Sequence, residues 1–269
     1  MTTRRPLGSW GALLLPLALA ASGCGKHSDP VATAPDPGLS HEASDDLVLQ
    51  LVTALSIAGG DLEASVQSAT SATASAAGAR PAGAAGDTTY SRDGLTYEAS
   101  QTFYDAQGTA LPGFDASAAR LRWTSRAYGT YQGPRATATV GHAARLDTRG
   151  IEASSDTLRF DGQCLDTLTS RFLSFDGQQT RDIHWTGALT FQDVRISKTA
   201  FQSGGFPSSG LVLLVITADR LRSADPGDVE ERVSSFLLVR FDGTREPTIQ
   251  VNACFTYRWN MLTGQITPV

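Results

Sequence analysis

From Thr88 onward the chain alternates apolar and polar residues with a period of two, segment after segment, and few folds tolerate that pattern. Leu95, Tyr97, Ala99 and Phe103 alternate with Thr96, Glu98, Ser100 and Thr102. Leu121, Trp123, Ala127 and Tyr131 alternate with Arg120, Arg122, Thr124 and Arg126. The same holds for Ala136 to Leu146, for Ile183 to Phe191 and for Ile249 to Trp259. Successive side chains of a strand point to opposite faces, so each segment reads as a half-buried antiparallel strand. Asp93-Gly94 and the three Phe-Asp-Gly units at 160–162, 175–177 and 241–243 supply the positive φ values of tight hairpin turns. Changes of phase near Ser154–Thr157 and near Gln192–Asp193 predict β-bulges that bend long strands. Leu211–Ile216 and much of Phe236–Phe241 are apolar on both faces and call for cover on two sides. The expectation is all-β: a long-stranded antiparallel meander of about eight to ten strands, forming a curved sheet or an incompletely closed barrel over 89–269.

One short helix accompanies it. Leu47, Leu51 and Leu55 recur every fourth residue with Val48 and Val52 alongside, after Ser44, Asp45 and Asp46 and before Gly59-Gly60. Acids and a hydroxyl favour a helix start, and glycine favours its end, so 45–60 reads as an amphipathic helix packed on the sheet. Ala, Ser, Thr and Gly dominate 61–88, a low-complexity linker in which alanine also permits a weak second helix from Asp61. Pro, Ser and Asp make 24–44 a flexible tether.

Arg4 and Arg5, the apolar stretch Trp10–Ala20 and Ala21-Ser22-Gly23-Cys24 open the chain. This resembles the leader and lipobox of bacterial lipoproteins, with Ala21 where that pattern more often has Leu. The resemblance covers residues 1–24. It implies removal of 1–23, acylation of Cys24 and a lipid-anchored life in the cell envelope. Gly25, rather than Asp, after the lipid site favours the outer membrane, facing the periplasm. Three cysteines fit: with Cys24 acylated, Cys164 and Cys254 remain as a pair in an oxidising compartment. A bridge between them would close a loop worth roughly 4–5 kcal/mol; two separate buried thiols are the other reading.

The net charge of −5 gives the chain no electrostatic reason to seek nucleic acid. Nothing in it matches Gly-x-Ser-x-Gly, His-Glu-x-x-His, a phosphate-binding glycine loop or a paired-cysteine metal knuckle. His27 and His41 lie in the tether, and His184 lies on the phase opposite Trp185. His142 shares the inward phase of Val140 and Ala144, as a base, a ligand or, the favoured reading, a hydrogen-bonded core residue. Asp225, Asp228, Glu230 and Glu231 do not follow EF-hand spacing and read as a solvated turn. Arg120, Arg122 and Arg126, with Arg135 and Arg145, form either a basic stripe for lipid phosphates or a solvated face neutralised by nearby acids. No cofactor or metal is expected.

Aromatic residues on the inward phases build a core, or line a cavity if the sheet is curved. Trp123, Tyr131, His142, Trp185, Tyr257 and Trp259 are the candidate ligand-lining residues. The expected function is a non-catalytic, lipid-anchored envelope protein whose concave sheet binds a hydrophobic or amphipathic ligand, or a partner protein. In general plan it resembles periplasmic lipoprotein-carrier proteins, which pair a curved antiparallel sheet with covering helices. The alternative is a structural or accessory scaffold subunit of an envelope assembly. An enzyme or an outer-membrane barrel is less favoured.

Overall fold

The computed structural model describes residues 39–76, 87–133, 135–174, 177–224 and 227–269. The leader, Cys24 and most of the tether lie outside them. Helix α1 (His41–Ala76) precedes one open sheet. Its strands are β1 (Asp87–Arg92), β2 (Leu95–Asp105), β3 (Ala110–Leu111), β4 (Ala118–Gln132), β5 (Ala136–Arg149) and β6 (Thr157–Leu173). There follow β7 (Thr180–Ser197), the short α2 (Lys198–Gln202), β8 (Ser209–Ala224), β9 (Gly227–Phe241), β10 (Thr248–Val251), β11 (Phe255–Trp259) and β12 (Ile266–Pro268). All twelve strands join the sheet, which runs in chain order except for β3, paired to β2 off the main path. Every pairing is antiparallel, β1 and β12 are the edges, and the sheet does not close.

Period two sets which face is buried. Leu121, Trp123, Ala127 and Tyr131 of β4, and Ala138, Val140, His142 and Ala144 of β5, point inward and are buried. The Asp93-Gly94 hairpin forms as predicted, both residues having positive φ (52° and 81°). The 192–193 bulge is present as a register shift between Gln192 and Arg195. Residues 154–156 belong instead to the β5–β6 connection. Phe160-Asp161-Gly162 is also not a hairpin turn: it is a bulge inside β6, where the ladder shifts between Phe160 and Gly162. Gly162 has φ 153°, and a Cβ there would lie 2.3 Å from the Arg145 carbonyl oxygen, so the strand bends where only glycine fits. Ile249 to Trp259 is split by Asn252 and Ala253, both with positive φ, into β10 and β11.

The helix is longer than expected, 36 residues running through Gly59-Gly60 and past Asp61. Ser40 caps it, accepting from the Ala43 N–H at 3.1 Å, so Ser44, Asp45 and Asp46 are released for contacts with the sheet. Gly60 does not end the helix. It permits close approach: a Cβ there would sit 3.1 Å from Tyr97 Oη. Leu47, Leu51, Ala54, Ile57 and Ala58 are almost wholly buried against the inner face. The stretch His41–Ser68 is long and apolar enough to span a membrane by composition, yet most of it is buried within the protein, as befits a helix wrapped by a sheet.

Candidate functional site

The helix occupies the concavity, and it is not purely apolar on that side. Asp46, Gln50 and Asp61 are buried, four and eleven residues apart, close to one and three whole turns, so they fall on one stripe. Each meets a polar group on an inward phase of the sheet. Trp185 Nε1 donates to Gln50 Oε1 at 3.1 Å, and Trp123 Nε1 donates to Asp61 Oδ1 at 3.0 Å.

At the Asp61 end, His142 lies between two carboxylates: Nε2 to Asp61 Oδ2 is 2.7 Å and Nδ1 to Asp166 Oδ1 is 2.6 Å. Burial works against a charged ring, but hydrogen bonds to Asp166 and Asp61 outweigh it and hold the imidazolium far above its ordinary range. Cys164 lies beside the same ring, and burial pushes its thiol up to about 11. A thiol, an imidazole and carboxylates in one cluster invite comparison with a nucleophilic site. The environment argues otherwise. None of the four residues is more than 4 % exposed, and a thiol so raised stays protonated near neutrality.

At the other end, Asp46 Oδ1 and Oδ2 accept from Arg181 Nη1 and Arg220 Nη1, both at 2.8 Å. Glu42 and Glu231 complete the cluster, Arg220 Nε donating to Glu231 Oε2 at 2.8 Å. Burial raises the Asp46 carboxyl to about 6 in spite of both guanidiniums. Tyr257 Oη lies 2.8 Å from both Ser44 Oγ and Asp45 Oδ1.

The six expected ligand-lining residues therefore divide. Trp123, Trp185 and Tyr257 hydrogen-bond α1, His142 bridges Asp61 of α1 and Asp166 of β6, and all four are buried. Tyr131 and Trp259 are buried too, but they line a cleft of about 270 Å³ together with Leu49 and Val52 of α1, Phe172 of β6, and Met261 and Leu262 beyond β11. The Trp259 Nε1–H is buried with no acceptor among the described residues.

Other expectations resolve as follows. Cys164 is a free, buried thiol in β6 and not half of a bridge to Cys254, which lies in the β10–β11 turn with β7, β8 and β9 between them. His184 is exposed, its Nδ1 3.0 Å from Thr169 Oγ1, and His41 packs edge-on against Phe255. The arginines do not form one stripe: Arg122 donates to Asp147 at 3.0 and 3.2 Å and Arg120 lies over the Tyr104 ring on the outer face, whereas Arg135 lines the cleft beside α1. Of the acidic cluster, Glu231 pairs with Arg220, while Asp225 and the Asp228 side chain lie outside the described residues. The two-sided cover expected for β8 and β9 is one-sided among the described residues. Val212, Leu214, Leu237 and Val239 are buried inward, whereas Val215 and Phe236 are exposed outward.

Asp61, Asp166, Arg181, Arg220 and Gln50 were not singled out from sequence. Their signal was positional: Asp166 sits in phase with Cys164 and Leu168, and Arg220 with Ile216 and Ala218. A charged residue on an inward phase demands a buried partner. Comparisons with family models, with curated proteins and with solved structures return no match.

Proposed function

We propose that this is a non-catalytic, lipid-anchored protein of the bacterial cell envelope, held through Cys24 at the outer membrane and facing the periplasm. Its ligand, hydrophobic or amphipathic, enters the cleft between α1 and the ends of β4, β6 and β11. The observation that carries the reading is that Tyr131 and Trp259 converge with Leu49 and Val52 on one apolar opening beside the helix. Concave apolar sites with a few polar groups are where small ligands bind. Native mass spectrometry of protein purified from bacterial envelopes tests this. A co-purifying mass that organic solvent extracts as lipid, lost in Val52→Trp, is the expected result. A clean apo mass, with no stabilisation by added single-chain amphiphiles, would remove the ligand reading. Labelling with a radioactive fatty acid, abolished in Cys24→Ser, tests the anchor.

A second reading, an accessory subunit of an envelope assembly, has its own observation. Leu165, Ala188, Val215 and Phe236 are direct cross-strand neighbours on β6, β7, β8 and β9, forming an apolar row on the outer face. Contiguous exposed apolar surface of this kind marks protein contacts. Val215→Glu would leave ligand binding intact and abolish any such assembly.

A further inference from the structure

We infer that the outer face of the sheet carries a phosphate-binding site between Arg120 of β4 and Arg149 of β5, which lie directly opposite one another beside the β5–β6 connection. The ligand is a phosphate group, presented either on a membrane lipid or on a small soluble ester. The site lies on the face away from α1 and does not depend on the cleft.

Four arginines stand in one cross-strand row, Arg120, Arg149, Arg159 and Arg195 on β4 to β7. Like charges directly opposite one another in a sheet repel and are destabilising. Half of this row is neutralised. Arg159 Nε lies 2.9 Å from Asp161 Oδ2 and 3.0 Å from Asp193 Oδ1. Arg195 donates to both oxygens of Asp193, at 2.8 and 3.0 Å, and Asp193 sits at φ 50° in the β7 bulge between the two arginines. The other half is not neutralised. Asp147, on the next row, spends both oxygens on Arg122 at 3.0 and 3.2 Å. Neither Arg120 nor Arg149 has a carboxylate partner among the described residues.

Five arginines therefore face three aspartates over these two rows, and the surplus of two positive charges falls on direct neighbours, in a chain whose net charge is −5. Directly opposed residues have Cβ atoms about 4.5–5.5 Å apart, so both guanidiniums can close on one anion. Arg120 is held in place, its guanidinium carbon 4.3 Å from the Tyr104 ring centroid. Stacking occupies the face of a guanidinium and leaves its in-plane N–H groups for an acceptor. Arg149 is exposed and Arg120 half-buried, so an anion reaches both from solvent. Two forks of donors suit the oxygens of a phosphate, and a phosphate monoester carries about −1.5 to −2 near pH 7, which matches the surplus.

The test uses the full chain as Cys24→Ser, so that acylation cannot itself carry it to a membrane. Calorimetric titration with glycerol 3-phosphate reads the soluble source. Flotation with phosphatidylcholine vesicles containing phosphatidic acid, against vesicles of equal surface charge made with phosphatidylglycerol, reads the lipid source. Binding is expected in at least one arm, with any flotation several-fold stronger on the monoester lipid, and the arm that binds names the source. Arg120→Gln and Arg149→Gln should each weaken binding about tenfold, the worth of lost charged hydrogen bonds. Arg171→Gln, whose ion pair with Asp182 lies elsewhere on the outer face, should leave it unchanged. Thermal melting separates lost binding from lost fold, and neither site variant should melt lower, because each removes a like charge from the row. No binding in either arm would overturn the site. Equal flotation with the two charged vesicles, or an equal loss in Arg171→Gln, would also overturn it, since either means general attraction to negative charge.

Discussion

The amino end and the middle of α1 are both fixed to the sheet by buried charge, but by different chemistry. At the amino end Asp46 lies between two arginines, and the cluster reaches water through Glu42 and Glu231, whose side chains are 41 % and 34 % exposed. Near the middle of the helix, Asp61 and Asp166 enclose a single histidine, with side-chain exposure of 0 % at His142 and Asp61 and 0 % at both members of the His142–Asp166 pair. The first cluster has two guanidinium cations and exposed acids that can take over a partner. The second has one titratable cation and no substitute for it. Burying ions is costly, and removing one partner from a sealed cluster strands the others. The rim cluster should therefore forgive substitution and the sealed one should not. The apolar residues between them, Leu47, Leu51 and Ile57, supply burial but little choice of register. The polar groups of the two clusters choose it.

The largest effect is expected from His142→Ala, which leaves Asp61 and Asp166 buried against each other. A loss of about 3–5 kcal/mol in urea unfolding is expected. Replacing all three charged residues with leucine should cost much less, because no stranded charge remains. If the triple variant is as unstable as the single one, the cluster contributes stability and not only register.

The same histidine makes stability depend on pH. Its folded value is raised far above the ordinary 6.5, so between pH 7 and 9 the native state holds a proton that the unfolded chain has lost. Stability is then fully present below about pH 6.5 and declines as pH rises, by about 1.4 kcal/mol per pH unit from this proton. Urea unfolding at pH 7, 8 and 9 should show that decline in the wild type and a shallower one in His142→Gln. Parallel slopes would mean that the ring is neutral in the native state.

These two clusters also show what was legible. The alternation at Leu121–Tyr131 or Ala136–Leu146 is written in the local chain, because a strand's faces follow from its own geometry. The helix end was not. Glycine pairs commonly close helices, and nothing local distinguishes that use from Gly60 pressed against Tyr97, which is distant in sequence and adjacent in space. The Phe-Asp-Gly at 160–162 misleads for a related reason: positive φ serves a bulge as well as a turn. The cysteine pairing was argued from parity, and parity says nothing of the strands lying between Cys164 and Cys254. The charged residues on inward phases were visible, but their partners across the fold were not. Half of the cleft, Tyr131 and Trp259, was legible as aromatic residues on buried phases; Leu49 and Val52 entered it only because the helix runs inside the sheet.

At the rim the expected effect is smaller. Asp46→Asn keeps an oxygen facing the arginines and leaves Arg220 its bonds to Glu42 and Glu231, so a change of about 1 kcal/mol at pH 7 is expected. Its pH signature is separate from that of His142. The folded carboxyl titrates near 6 against an ordinary 3.8, so the native state binds the extra proton between these values and stability falls as pH rises through them. Asp46→Asn should flatten that limb and leave the alkaline one untouched. A cost matching that of His142→Ala would erase the contrast between the two ends.

The smallest effect concerns the joint that lets the sealed end approach the sheet. Gly59 and Gly60 are adjacent helical glycines, and alanine in a helix interior is worth about 1 kcal/mol over glycine. At Gly59 a Cβ would meet nothing within 4 Å, so Gly59→Ala should stabilise by about 0.5–1 kcal/mol. At Gly60 the same methyl would lie 3.1 Å from Tyr97 Oη, whose ring is buried and stacked on Tyr90, so the gain should be cancelled or reversed. The difference between the two variants, read from paired urea titrations, measures how tightly the helix is held just before Asp61. Equal stabilisation by both would mean that α1 has slack to move away from β2. The close fit at Gly60 could then no longer be what brings Asp61 within reach of His142.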